Sequence, residues 1–162
     1  MTRFYNPANI LDRWVVSHVT DWILARKEAQ TRWQLRRYSI NLATESIRDP
    51  HFVRSVQEQL VVKNVAEGRL AFEITSECAS IYREEFEKLG RALKSIGCAL
   101  TITDYRGGEP TASWYQAAGV DTVKLARAVI ERPETWQKVR EIGVNYVQGF
   151  GFAQPLPLSD VA

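Results

Sequence analysis

Apolar positions near the start of the chain recur at three- and four-residue steps: Ile10, Leu11, Trp14, Val15, His18, Val19, Trp22 and Ile23. That period predicts an amphipathic helix with this stripe against the core. Asn9 is placed to cap it, and Asp12 falls in the first turn, where the helix dipole favours a negative charge. Arg26, Lys27 and Glu28 begin a polar exit. Residues 36–43 (RRYSINLA) alternate partly and read as a strand. Asp49-Pro50 marks the next helix start, with Phe52, Val53, Val56 and Leu60 on its apolar side. The same succession continues: a strand over 69–75 (RLAFEIT), a helix over 82–96 stopped by Gly97, and a strand over 98–105 (CALTITDY). A short helix over 110–118 follows, then a strand over 120–126 (VDTVKLA). A helix opened by Pro133 and stopped by Gly143, and a strand over 145–152 (NYVQGFGF), complete the pattern.

Strands that alternate with helices across short connections predict a parallel β/α architecture, and the short, mostly apolar strands suit a sheet covered on both faces. Without a linker, repeat or low-complexity tract, residues 1–162 read as one domain. Composition narrows the partners. The chain has 21 Lys plus Arg against 19 Asp plus Glu, a net charge of +2, which gives no reason to expect a nucleic acid polymer. No apolar run reaches the roughly 20 residues of a membrane helix, and the N-terminus lacks a signal-peptide shape. Two cysteines make no disulfide framework, so a reduced, cytoplasmic setting is expected.

Polar residues fall at strand C-termini: Asn41, Glu73, Asp104, Lys124 and Gln148. In a parallel barrel these ends share one face, where sites are built. A carboxamide, two carboxylates and a lysine converging there would suit a divalent cation and a phosphate; strand ends that merely meet solvent are also often polar.

The wording of the strands adds a resemblance. Ser39-Ile40-Asn41-Leu42-Ala43 with Asp49-Pro50-His51-Phe52 resembles the "NLS…L.DP.F" stretch of EAL domains, the cyclic di-GMP phosphodiesterase family. Residues 70–75 (LAFEIT) resemble its "LEITE" strand, 97–108 (GCALTITDYRGG) its "G..IALDDFGTG", and 120–125 (VDTVKL) its "VDYLKID". Residues 147–155 (VQGFGFAQP) resemble the closing "QGYYFSKP", and 10–14 (ILDRW) the helix start "EIDRWV". Six matches stand in family order along nearly the whole chain. The resemblance implies a parallel β/α barrel of the EAL type, truncated and incomplete, because barrels of this kind take about 250 residues.

The departures bear on function. The family's Glu-Ala-Leu strand, with a metal-binding Glu and a phosphate-binding Arg, would precede Ile10, where nine residues stand and none fits. Its "AEGVE" strand has no counterpart between Lys124 and Gln148. Thr103 replaces the first Asp of the "DD" pair, Ser76 the second Glu of "EITE", Arg106 the Gly of "DFG", and Ala126 the Asp of "KID". Glu77, one place later than Ser76, is expected to point elsewhere on a strand. The family's two-metal hydrolysis keeps only Asn41 and Glu73 of one metal site and Asp104 of the other, a poor set for an ion that demands near-octahedral oxygen.

The resemblance with these losses implies a catalytically inactive signalling module that works through protein contacts, with a protein partner or a homodimer. The alternative is a non-hydrolysing cyclic di-GMP receptor using Asn41, Glu73, Asp104, Lys124 and Gln148; residual phosphodiesterase activity comes last. No catalytic residue and no cofactor are expected, Mg²⁺ or Mn²⁺ entering only if the remnant ligands Asn41, Glu73 and Asp104 work. The opening helix, having lost its neighbouring strands, and the 36–43 strand are expected at the contact. Trp14, Trp22, Trp33, Trp114 and Trp136 read as packing residues, His18 and His51 as structural, and Cys78 and Cys98 as free thiols at opposite ends of the sheet. Gly149 and Gly151 either admit a nucleotide to the backbone or bend the strand.

Overall fold

The computed structural model describes residues 7–25, 37–106, 112–126 and 128. Helix α1 (Pro7–Ala25) leads to strand β1 (Tyr38–Asn41). Two helices, α2 (Thr44–Ile47) and α3 (Phe52–Val62), carry the chain to β2 (Leu70–Thr75). Helices α4 (Ser76–Ile81) and α5 (Arg83–Ser95) return it to β3 (Ala99–Tyr105), and α6 (Ala112–Ala117) to β4 (Thr122–Leu125). The strands form one parallel sheet in the order β1-β2-β3-β4. Each strand joins its neighbour through helices, and right-handed crossovers in one direction place those helices on one face.

Strand alternation gives the two faces different chemistry. Ile40, Leu70, Phe72, Ile74, Leu100 and Ile102 join the helix residues Phe52, Val56, Phe86 and Leu93 in one buried core. The Phe52 and Phe72 rings meet edge-on, 5.7 Å apart. The opposite face is small and polar. Ser39 pairs with Ala71 and Ala71 with Ala99; Asn41 pairs with Glu73, Glu73 with Thr101, and Thr101 with Thr122.

The strands and α3, α5 and α6 match the sequence reading apart from their ends, but α2 and α4 were not expected. The four residues of α2 are too few to show a period. At α4 the chain turns helical at once after β2, with the Thr75 hydroxyl accepting from Cys78 N–H at 3.2 Å. Glu77 therefore lies in the first turn of a helix, not on a strand. Asp49 was expected to cap α3 with Pro50 as its first residue, but the helix starts at Phe52 after His51; Asp49 Oδ1 accepts from His51 N–H at 2.9 Å in the turn before it. The helix over 133–143 and the strand over 145–152 lie outside the described residues.

The largest correction concerns α1. It begins at Pro7, so Asn9 is not its cap and Asp12 is not in its first turn. Asn9 donates to Asp49 Oδ2, and Arg13 forms an ion pair with the same carboxylate. Asp12 is buried and accepts from Ala43 N–H (2.8 Å) and Ser46 Oγ (2.7 Å), which closes the start of α2. Thr20 is fully buried. From the end of α3, Lys63 Nζ reaches Ser17 O and Oγ, Thr20 Oγ1 and the Asp21 carboxylate at 2.7–3.1 Å. The inward face thus runs through Asp12, Val16, Thr20 and Ile23. Much of the predicted core stripe, Leu11, Trp14 and His18 above all, faces water instead. Buried polar residues are admissible here because each finds a partner on α2 or α3.

Candidate functional site

The polar face of the sheet brings three of the five candidate residues together. Asn41, at the end of β1, stands beside Glu73 in the ladder and is exposed. Glu73, in the middle of the buried β2, is 8% exposed. Lys124 sits two residues beyond Thr122, which pairs with Thr101, the neighbour of Glu73. Its ammonium reaches back across β3 to Glu73 Oε1 at 2.7 Å. The short, unbranched or hydroxylated residues around them (Ala71, Ala99, Thr101) leave that path open.

Asp104 stands in an irregular stretch of β3. The β3–β4 register breaks between Ile102 and Tyr105, and Asp104 lies within the break at φ +59. That left-handed conformation is uncommon away from glycine, and Asp is among the residues that tolerate it. The carboxylate is 56% exposed and lies 3.5 Å from the Arg106 guanidinium. Ser76 holds the break from the other side, its Oγ donating to the Asp104 carbonyl at 3.0 Å. Thr103 keeps the polar-face position, paired with Thr75. A register break of this kind re-aims a side chain. Gln148 lies outside the described residues.

Among the described strand positions of the polar face, Glu73 is the one carboxylate. No group of three or more His, Cys, Asp or Glu among the described residues is placed to hold a metal ion. Cys78 and Cys98 are free thiols. Cys78 lies beside Thr44 Oγ1 at 3.3 Å, while burial pushes the Cys98 thiol up to about 12. Trp33 and Trp136 lie outside the described residues. Trp114 is a packing residue, its indole N–H donating to Glu87 at 2.7 Å, and Arg83 lies over its ring. Trp14 is not a core residue: it is more than half exposed, and its ring stacks on His18 with centroids 3.7 Å apart.

Comparison with known proteins now bears on this parallel sheet with its Asn41, Glu73 and Lys124 face. The EAL domain pattern matches residues 5–132. The chain belongs to the EAL domain family. Over 96% of its length it is 22% identical to the cyclic di-GMP phosphodiesterase PdeF of Escherichia coli (strain K12), and over 92% it is 21% identical to PdeB of Shewanella oneidensis. It covers 25% and 21% of those proteins, so it spans about a quarter of the length of these curated relatives. Among solved structures, the Xanthomonas citri FimX EAL domain in complex with c-diGMP superposes with a TM-score of 0.72 at 19% identity. The match covers 83% of this chain and 54% of that one. The Pseudomonas aeruginosa FimX EAL domain bound to c-di-GMP gives 0.70 at 16% identity, covering 83% and 54%. These likenesses establish the EAL α/β fold over about half of each FimX chain. No helix among the described residues is long and apolar enough to cross a membrane.

Proposed function

We propose that this EAL domain is a non-catalytic module that works through protein contacts in cyclic di-GMP signalling. The observation that carries the reading is the Glu73–Lys124 ion pair. Hydrolysis by the family's two-metal route needs carboxylates converging on divalent cations. Here the carboxylate of the polar face is already paired with an ammonium at 2.7 Å, Thr103 offers a hydroxyl where the family has an acid, and Asp104 pairs with Arg106 at 3.5 Å. Mg²⁺ takes near-octahedral oxygen donors, and the ammonium beside Glu73 supplies none, so this donor set fits a divalent ion poorly. The protein-contact part rests on the apolar, solvent-facing side of α1.

Incubation with cyclic di-GMP in Mg²⁺ or Mn²⁺ is expected to leave the dinucleotide intact. Metal-dependent conversion to the linear form, abolished by Glu73→Ala, would overturn the reading. A second reading, a non-hydrolysing receptor, draws on the 41% exposure of the Lys124 side chain, which leaves its cation within reach of a phosphate. Calorimetric titration separates the two. Weak or undetectable binding is expected. A submicromolar Kd that rises in Lys124→Ala or Asp104→Ala would favour the receptor.

A further inference from the structure

We propose, building on the protein-contact reading above, that the edge of β1 receives an extended segment of a partner protein as an added antiparallel strand, with an acidic residue at the end beside Arg37. Three observations support it. The first is the hydrogen-bond pattern. Among the described strands β1 is an edge and pairs with β2 alone. Tyr38 N–H donates to Arg69 O at 2.8 Å and Leu42 N–H to Glu73 O at 2.9 Å. Alternate residues of a strand face the same neighbour, so Tyr38, Ile40 and Leu42 turn their N–H and C=O groups to β2. Those of Ser39 and Asn41 point away from the sheet, and no described residue bonds them. Both residues are exposed. Natural edges are commonly blunted by a charge, a proline or a bulge. Within β1 there is none of these: it reads YSIN, and its register with β2 is unbroken. The edge at β4 differs, because β4 pairs across a register break and carries Lys124.

The second observation is charge. Arg37 is exposed, and its Nε–H donates to the Gly68 carbonyl at 3.2 Å. The Arg69 guanidinium lies over the Tyr38 ring, 5.6 Å from its centre, and its buried Nε has no hydrogen-bond partner among the described residues. Neither cation belongs to an ion pair of the described residues. Both stand where β1 and β2 begin, so that end of the edge favours a carboxylate and repels a basic segment.

The third is the chemistry of the two flanks. Added residues opposite Tyr38, Ile40 and Leu42 lie on the helix side, where Trp22 meets the Tyr38 ring edge-on at 5.2 Å and Ile40 and Leu42 adjoin the core. Those opposite Ser39 and Asn41 lie on the polar side. Antiparallel pairing is the more stable per residue, and it lets the residues opposite Ser39 and Asn41 each exchange both main-chain bonds. Read from its N-terminus, the segment is then apolar at its first, third and fifth positions, small and polar at its second and fourth, and acidic at its sixth, opposite Arg37. Main-chain bonds supply affinity in this mode and alternate side chains supply specificity.

A synthetic peptide VTVTVE, fluorescein-labelled at its N-terminus, tests this by anisotropy against the full chain. A Kd of about 10–100 µM is expected, as for a small interface that must order a flexible segment. On saturation the Ser39 and Asn41 amides should exchange their hydrogens at least tenfold more slowly. N-methylation of both threonines, which removes the N–H groups facing β1 and keeps the side chains, should abolish binding. Ser39→Pro removes an outward N–H and no ladder bond, and should weaken binding at least tenfold. Arg37→Glu, at an exposed side chain, should weaken VTVTVE and strengthen VTVTVK, each at least fivefold. Absence of binding up to about 1 mM, or binding indifferent to N-methylation and to the charge swap, overturns the proposal. Self-association that Ser39→Pro abolishes, in place of peptide binding, overturns the partner assignment. A protein partner held while the Ser39 and Asn41 amides stay unprotected overturns the strand addition and leaves the protein-contact reading standing. Cyclic di-GMP turnover, measured separately, decides the non-catalytic reading.

Discussion

Replacing Lys124 by Met would leave the Glu73 carboxylate without its ammonium in the middle of β2. At 2.7 Å the gross attraction is about 6 kcal/mol for an effective dielectric constant near 20. Desolvation offsets most of it. Glu73 has lost nearly all its water, whereas the Lys124 side chain is 41% exposed and remains partly hydrated. Breaking a fully buried pair costs about 3–5 kcal/mol, and the exposure of Lys124 lowers the expected loss to about 2 kcal/mol. The two partners should be unequal. Glu73→Gln leaves a cation that can turn to solvent and should cost about 1 kcal/mol, while Lys124→Met strands a buried anion. The double variant Glu73→Gln/Lys124→Met strands neither charge and should be closer to wild type than the sum of the singles, with a coupling of about 1–2 kcal/mol. Urea unfolding at neutral pH, followed by tryptophan fluorescence and far-UV circular dichroism, measures all four corners. Equal costs for the two single variants, or strict additivity in the double, would refute the pairing argument.

Three further outcomes follow from particular contacts. Burial works to raise the Asp49 carboxyl, but hydrogen bonds from Arg13, Asn9 and His51 N–H, with the Arg13 charge, outweigh it and hold it below the usual carboxylate range. Its stabilising effect is therefore present above the unfolded value near 4 and is lost as pH falls through the lower folded value. Asp49→Asn should cost about 1–2 kcal/mol at pH 7 and flatten the acid limb of a thermal-melt pH series. At Gly90 an added Cβ would lie 2.2 Å from the Ala118 carbonyl oxygen, so Gly90→Ala should destabilise by about 2 kcal/mol in chemical denaturation despite its better helix propensity. Cys98, buried and with its thiol pushed up to about 12, should resist a thiol reagent at pH 8 until the chain unfolds, while the half-buried Cys78 reacts first.

The strand-and-helix succession was legible in the sequence because it rests on local periodicity. Ile40 and Ile102 alternate with polar neighbours, and Phe86, Leu89 and Leu93 recur at helical spacing. Family membership was legible for a related reason: the strand-end motifs are short, ordered and local. Tertiary structure decided what periodicity cannot see. Glu73 and Lys124 are 51 residues apart in sequence, and only the ladder register brings them to 2.7 Å. Asp104 lies in a register break and takes a left-handed φ, a local irregularity that the strand pattern of residues 98–105 does not show. On α1 the hydrophobic stripe named the wrong face. Asp12, Thr20 and Ser17 can turn inward because Ser46, Ala43 and Lys63 from other elements satisfy them, and Trp14 is then left to the solvent. Composition along one helix says how apolar each side is, but burial is set by which side finds partners for its polar groups, and those partners lie 31–46 residues away in the chain.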